Sequence, residues 1–594
     1  MITPMKKITL FVTSRDRESF VADLRALGVV HIKNIRQPQA NEIDVLEDEI
    51  SRVKKAISVL ASYKDGGSTI SPSEHKTDLL KEADAIGQAW ENKCDTTEDL
   101  ADLQAKLNWY KPWGGFNPSD IENFKKYNIF IRLYNIGLKE FKALENKSNL
   151  KAIKQTIDRV YVIAVFQDRE SALPFEELTL PKENYDDILE DVIALKTKTE
   201  EMDSFLKTKL RLEAQLKKHL KPLENKDNFL RVMFGMKEED KFYYLSGFCP
   251  ADQVAGLISL SKAKNAAYAI EDPAEGEDVP TLIRNPKWIK IIEPVFKFMN
   301  TIPGYREHDI SALFLLFFTL FFAIIIGDAG YGILFFAATF YLRKKIKNAP
   351  KEIFQLLYVL STATIIWGAM TGSWFGVEKI ANLPFMHALQ IEKFDSTIAE
   401  NRNFIMFFCF CIGVVHLTLA HIVLWFKTMN SPKSISQIGW VLILWASFFL
   451  AGQMVIGITF PAFAKYLFCA GLFLVVIFSN FQKNLLKGIL VTLIDLPFKI
   501  IGCFSDIISY LRLFAISYAS VVIVGIFNEF TGTIGFDSFL RGLLCAAILF
   551  FGHALNIVLS ILAVVVHGVR LNMLEFAGHL NMEWSGREYI PFKE

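Results

Sequence analysis

Long apolar segments recur from Ser311 onward, and a chain that carries them cannot bury all of them in one water-soluble core. The charges follow the same division, with 93 Lys, Arg, Asp and Glu residues in the first 305 positions and 36 in the remaining 289. Crossing a bilayer core of ~30 Å takes about 20 apolar helical residues. Eight segments come near that length: roughly 310–326, 329–342, 353–375, 403–426, 436–457, 461–480, 496–530 and 538–580. Residues 306–594 are therefore expected to form an all-α polytopic membrane domain of about eight helices, and residues 1–305 a separate soluble domain. The formal net charge of +1 gives no reason to expect a nucleic-acid partner. Seven scattered cysteines without a CxxC pair predict neither a disulfide framework nor a metal site, and no cofactor motif occurs.

The first half reads as α+β. Residues 6–35 alternate as a strand, a charged turn, a helix apolar at Phe20, Leu24 and Leu27, and a second strand ending near Ile35. Further β-rich stretches begin at Val160 and Phe242, so that a small α/β lobe is expected to recur. Between them Ile43, Leu46, Ile50, Val53, Ile57 and Leu60 keep the 3/4 spacing of a coiled-coil seam. Ile188, Val192, Leu195, Met202 and Leu206 form a second seam running towards Leu220, and Leu100, Leu103 and Leu107 mark a third helix. An antiparallel helical arm with α/β lobes at its ends is the expectation. Its N-terminal residues resemble neither a secretory signal nor an anchor, which predicts a cytoplasmic location. Nothing in this half has the pattern of a phosphate loop, a zinc protease or a nucleophile elbow; a partner-docking strut is expected.

In the second half, Arg343, Lys344, Lys345, Lys347 and Lys351 share one loop, Lys427 and Lys433 another, and Lys483, Lys487 and Lys499 a third. The positive-inside rule puts these loops in the cytoplasm, and with them both termini. The segments 329–342 and 310–326 meet at GDAGYG (327–332) and suit one hairpin. The last two segments, of some 35 and 43 residues, exceed the hydrocarbon thickness, so they are expected to tilt or project. Arg512 and Arg570 lie inside them. An ionisable residue at a membrane-helix centre costs at least ~2.5–3.5 kcal/mol and marks a functional site by default. The nearest sequence acid to Arg512 is Asp506, six residues away and off its face, whereas Arg570 has Glu575 close by. At ~100° per residue, His553, Asn556, Ser560, His567 and Arg570 fall within an arc of roughly 100°. Ser505, Ser509, Arg512 and Ser520 share a face of the preceding helix. Asp328, His416, His421 and Gln453 read as isolated polar groups with packing roles.

At SYLRLFAISYA and RLNMLEFAGHLNMEWSGREYIPF the sequence resembles the membrane stator subunit of rotary V/A-type ATPases, subunit a or subunit I. GDAGYG resembles that family's first hairpin, VPTLIRNP (279–286) its linker into the membrane, and MKKITLFV with LGVVHI its N-terminal lobe. The resemblance implies a non-catalytic, ion-translocating stator in a cell or organelle membrane. Its implied partners are a turning ring of proteolipid subunits, the peripheral stalks and the central-stalk subunit of the membrane sector. It carries the family's essential arginine onto Arg512, the second onto Arg570 and the RLxxxEF glutamate onto Glu575. The half-channel candidates are Asp506, Ser509, Ser517, Ser520, His553, Asn556, Ser560, His567 and Glu575. Eukaryotic relatives have a Glu and a His where this chain has Ser560 and Ser520, which leaves His553 and His567 as candidate replacements. An autonomous secondary transporter would call for an internal repeat of the membrane half, and none is found. A scaffold without an ion path would leave two intramembrane arginines without a purpose.

Overall fold

The computed structural model describes residues 2–33, 36–38, 40–63, 78–144, 149–239, 242–346, 349–395, 398–480, 485–535 and 537–593. Ile35, Lys347 and Lys483 of the expectations above lie outside the described residues. Strand β1 (Met5–Thr13) points Ile8, Leu10 and Val12 to one buried face, the period-two pattern of a half-buried strand. Helix α1 (Arg17–Leu27) covers that face with Phe20, Val21 and Leu24 and stops at Gly28, whose φ of +63° closes the C-cap. Strand β2 (His31–Lys33) ends the opening unit.

The arm follows. Helix α2 (Asn41–Ser62) buries Ile43, Leu46, Ile50, Val53 and Leu60, with Ala56 and Val59 joining the seam. Helix α3 (Leu79–Tyr110) has 32 residues, ~48 Å of arm at 1.5 Å per residue. At its far end β3 (Phe130–Gly137), β4 (Leu150–Gln155) and β5 (Arg159–Phe166) make an antiparallel sheet in the order β3-β5-β4, packed on Tyr134, Ile136, Val160 and Val162. Helices α4 (Tyr185–Lys209) and α5 (Glu213–Gly235) return beside α3 and α2. Val53, Ile86, Leu206 and Leu216 meet in one cluster. Beside it Lys93 and Tyr63 both bond Asp203, each at 2.6 Å. Burial opposes the Asp203 charge, yet these two donors hold its carboxyl below the usual range.

Strands β6 (Lys237–Glu239) and β7 (Phe242–Pro250), helix α6 (Val254–Ala263) and strand β8 (Ala267–Glu271) bring the chain back to the first lobe. The sheet order is β2-β7-β1-β8, with β6 hydrogen-bonded to β7. Because β7 runs antiparallel to both β1 and β2, those two strands are parallel but not adjacent, a split βαβ unit. The β-rich stretch at Phe242 therefore completes the first lobe and does not begin a third. Pairing across more than 200 residues leaves no local signature from which to read it.

The second half is helical: α7 (Ser311–Ile326), α8 (Ala329–Lys345), α9 (Lys351–Thr371), α10 (Arg402–Thr428), α11 (Lys433–Ala451), α12 (Ala462–Phe478), α13 (Leu485–Ser509), α14 (Leu511–Ile534) and α15 (Phe539–Ala563). All eight apolar segments are helices. Among the described residues, however, five helical stretches are long and apolar enough to cross a membrane, or six if the bent pair α7 and α8 is one span. That pair turns by 119° at Gly327–Asp328, and α12 is a shorter apolar helix of 17 residues. The seventh segment is longer than expected. It runs from Leu486 to Ile534, 49 residues and ~73 Å, because helix continues through Pro497 towards the lysine-bearing loop. The last apolar stretch, Phe539–His579, has 41 residues.

Residues 585–593 leave the membrane helices and pack on the first lobe. Gly586 N–H donates to the Ile302 carbonyl at 3.1 Å, Thr281 N–H to the Arg587 carbonyl at 2.7 Å and Phe592 N–H to the Val30 carbonyl at 2.8 Å. The Phe592 ring enters the core formed by Ile8, Phe20 and Leu24. A Cβ on Gly586 would lie 2.1 Å from the Pro303 carbonyl oxygen, inside any permitted contact with backbone. Gly586→Ala is expected to unseat the tail through overpacking of ~1–3 kcal/mol, raising amide exchange at Tyr589 and Phe592 about tenfold. Unchanged exchange at those amides would refute the close approach.

Candidate functional site

Helix α13 gives way to α14 at Tyr510, whose ring is fully buried and whose hydroxyl lies 2.8 Å from His416 Nδ1. His416 is itself sandwiched between Phe317 and Phe576, with ring centroids 3.8 and 4.2 Å away. Two residues past Tyr510, Arg512 donates from Nε to the Ser509 carbonyl at 2.9 Å and from Nη2 to Glu575 Oε1. The same carboxylate oxygen lies 3.5 Å from Arg570 Nε. Glu575 is 3% exposed, whereas Arg512 and Arg570 keep 22% and 55% of their side chains open. A buried carboxylate needs such partners, and two guanidinium groups on one carboxylate leave a net positive centre. The acid beside Arg512 thus comes from the following helix. Asp506 serves another cluster.

On the α13 side of this centre, Asp506 Oδ2 lies 3.1 Å from His579 Nε2, His579 Nδ1 lies 3.0 Å from His421 Nε2, and His421 Nδ1 lies 2.8 Å from Gln437 Oε1. Four polar side chains form one continuous line. On the other side, Asn556 Nδ2 donates to Ser520 Oγ at 2.9 Å and to Tyr331 Oη at 3.3 Å, and Tyr331 Oη lies 2.8 Å from His553 Nδ1. Tyr331 is held by the α8 N-terminus, where Asp328 accepts its backbone N–H at 3.1 Å and a hydrogen bond from Ser373 at 2.7 Å. Six and eight residues separate Arg512 from Asp506 and Ser520, so the clusters stand ~9 and ~12 Å from it along the helix.

The remaining candidates divide. Ser517 lines a cavity of about 20 Å³ beside Gly327 and Ser373, room for one water. Ser560 is buried, Ser509 contributes its carbonyl, and His567 Nδ1 is buried without a hydrogen-bond partner among the described residues. Projection of His553 to Arg570 onto one α-helical arc does not hold throughout, because Val564–Gly568 is a π turn that resets the phase ahead of Arg570. Such turns leave no pattern in an apolar sequence. Tyr331, Tyr510 and His579 escaped notice from sequence, and His421, read as an isolated packing group, belongs to the Asp506 line. Tyr331, three residues after Asp328 in GDAGYG, carried the one available signal.

The flank of α14 that carries Arg512 is open. At ~100° per residue, Arg512, Ala519, Val522, Ile526 and Phe530 fall within about 80°, and the last three are 39%, 47% and 59% exposed. Along α15, Leu555, Val558 and Leu562 are exposed as well.

No protein-family model matches this chain. It is 32% identical to the V-type ATP synthase subunit I of Borreliella burgdorferi, over an alignment of 626 positions covering all of both chains. It is 28% identical to V-type ATP synthase subunit I 1 of Treponema pallidum, again over the whole of both. With the A-type ATP synthase subunit I of Methanocaldococcus jannaschii it shares 27% identity across 60% of this chain and 55% of that one.

Proposed function

Since the chain belongs to the subunit I family of V-type ATP synthases, a membrane subunit and not the catalytic one of the complex, we propose that it is the stator past which a ring of carboxylate-bearing proteolipid subunits turns. The observation that carries this reading is Arg512: partly open on an apolar flank and standing between two separate polar clusters. Each ring carboxylate meets this guanidinium, which favours its charged form and so releases the ion. Glu575 occupies one edge of the guanidinium, and its five donors leave others for the ring.

The Asp506–His579–His421 line supplies the cytoplasmic half-channel, and the Ser520–Asn556–Tyr331–His553 cluster the outer one. The lysines support this polarity: Lys487 and Lys499, expected in a loop, lie inside α13, with Lys487 in its first turn. Arg512 between the two blocks a direct leak. The arm of α2 to α5 holds the peripheral stalks against torque, and the first lobe meets the central-stalk membrane subunit. The transported ion is H⁺, or Na⁺ if the ring carries a sodium site.

Side-specific labelling tests the two half-channels. In vesicles holding the complete complex, Asn556→Cys is expected to react with a membrane-impermeant thiol reagent only from the outer face, and Asp506→Cys only from the cytoplasmic face. Reaction of both from one face would overturn the arrangement.

A further inference from the structure

The line from Asp506 to Gln437 is open at its ends and closed in its middle. The Asp506 side chain is 31% exposed and Gln437 is half-buried, whereas the His579 side chain is 8% exposed and His421 4%. Trp440 lies nearly parallel to the His421 ring, centroids 6.4 Å apart, and His579 meets that ring edge-on at 5.1 Å. The distance between the two imidazoles decides what passes between the ends. His579 Nδ1 and His421 Nε2 stand 3.0 Å apart, the length of one hydrogen bond. A metal cation bonded to both nitrogens needs at least ~2 Å on each side, so the rings would have to part by about 1 Å. Imidazole also suits a hard cation poorly, since such ions take carboxylate, carbonyl and water oxygen. A proton fits the gap as it stands.

Every link of the line is within hydrogen-bond reach, at 3.1, 3.0 and 2.8 Å. Before a proton enters, the Gln437 amide N–H donates to His421 Nδ1, His421 Nε2–H to His579 Nδ1, and His579 Nε2–H to the Asp506 carboxylate. An arriving proton forms an N–H bond at His421 Nδ1. The His421 Nε2–H bond then breaks as its proton passes to His579 Nδ1, and the His579 Nε2–H bond breaks as its proton passes to Asp506, which becomes a carboxylic acid. The Gln437 amide turns over in the same step, so that Oε1 accepts from the new His421 N–H, the orientation in which those two atoms stand 2.8 Å apart. One proton has entered and one is held at the far end. Once Asp506 gives it to a ring carboxylate, the imidazoles return to Nε2–H by tautomer exchange, which leaves the proton count unchanged.

We infer that this line is a proton wire gated by the Gln437 amide, and that the ion the chain passes to the ring is therefore H⁺ and not Na⁺. The inference rests on the stator reading above and narrows it. Gln437 stands about one turn beyond Lys433, the first residue of α11, which puts the gate at the cytoplasmic end of the wire.

The test uses the purified complete complex in vesicles, with ATP-driven acidification read by a pH-sensitive dye and uptake of radioactive sodium measured in parallel. The wild type is expected to acidify at the same rate with and without Na⁺ and to take up no sodium. His421→Gln keeps an amide that bonds both neighbours but takes up no proton. It is expected to slow acidification about a hundredfold, the lower end of what a positioned proton-transfer group contributes, with subunit composition unchanged. ATP-driven sodium uptake by the wild type, or wild-type acidification by the assembled His421→Gln complex, would overturn the wire. The sodium measurement needs no variant, so it decides the matter even where His421→Gln does not assemble. A wild type that carries sodium beside an inactive Arg512→Ala variant would reject the wire and keep the stator reading, whereas that reading fails on Arg512→Ala alone.

Discussion

Arg512→Ala is expected to reduce ATP-driven ion pumping by the complete complex by about ten- to a thousandfold, with assembly unchanged. An adjacent guanidinium lowers a carboxylate pKa by ~1–3 units, and each unit is a tenfold change in the proton-release equilibrium. Assembly survives because Glu575, the one buried acid that Arg512 holds, keeps Arg570 3.5 Å away. Arg512→Lys should fall well short of rescue, since an ammonium cannot span Glu575, the Ser509 carbonyl and a ring carboxylate as the planar fork does. Acidification of vesicles, read beside the subunit composition of the purified complex, gives both quantities. Wild-type pumping by the alanine variant would remove Arg512 from the ion path and turn attention to Arg570 and the His553–His567 stretch.

Gly368→Val is expected to have the largest structural effect. A Cβ at Gly368 would stand 2.0 Å from the Ala329 nitrogen and 2.6 Å from the Asp328 carbonyl carbon, so α9 touches the start of α8 backbone to backbone. Gly332, on α8, faces the backbone of Ile365 in the same way, its Cβ 2.8 Å from that nitrogen. Neither neighbour is a side-chain end that swings aside; the helices must part by more than 1 Å to reach ordinary contact, which puts the cost at or above the ~3 kcal/mol end of overpacking. The displaced segment is the one that sets Asp328, and through it Tyr331 against His553 and Asn556. The variant should therefore lose most of its assembled complex, read as yield after solubilisation and as a lowered unfolding temperature. Gly525→Ala is the control, because nothing lies within 4 Å of the added methyl and alanine suits a helix better than glycine. Equal yields from the two variants would disprove the close packing of α8 and α9.

The sequence revealed whatever depends on nearby residues. The seam on α2 was legible because 3/4 spacing decides burial locally, and Ile43, Leu46, Ile50, Val53 and Leu60 are all buried. The bend at GDAGYG was legible from its glycines. Arg512 stood out because charge is rare in apolar helix. Its bond to Glu575, 63 residues on, did not, and neither did the line from Asp506 through His579 to His421. Packing of α14 on α15, and of α10 on α13 and on the turns that follow α15, brings these residues together, and two π turns, Val564–Gly568 and Leu571–Phe576, stand in the stretch that leads to Glu575 and His579. Polar residues in membrane helices carry no period that names their partners. The lobe's strand order was hidden for the same reason, since β7 enters between β1 and β2 from across the whole arm.

Phe592 in the core of the first lobe has a consequence for biosynthesis. The ribosome makes β1 and α1 first, yet their core lacks β7 and β8 until the arm is finished, and lacks this ring until every membrane helix has been synthesised. Domains of a nascent chain ordinarily close in order of emergence. Here the earliest-made unit closes last, so a chain that stalls in the membrane still exposes apolar residues such as Val30 beside the gap.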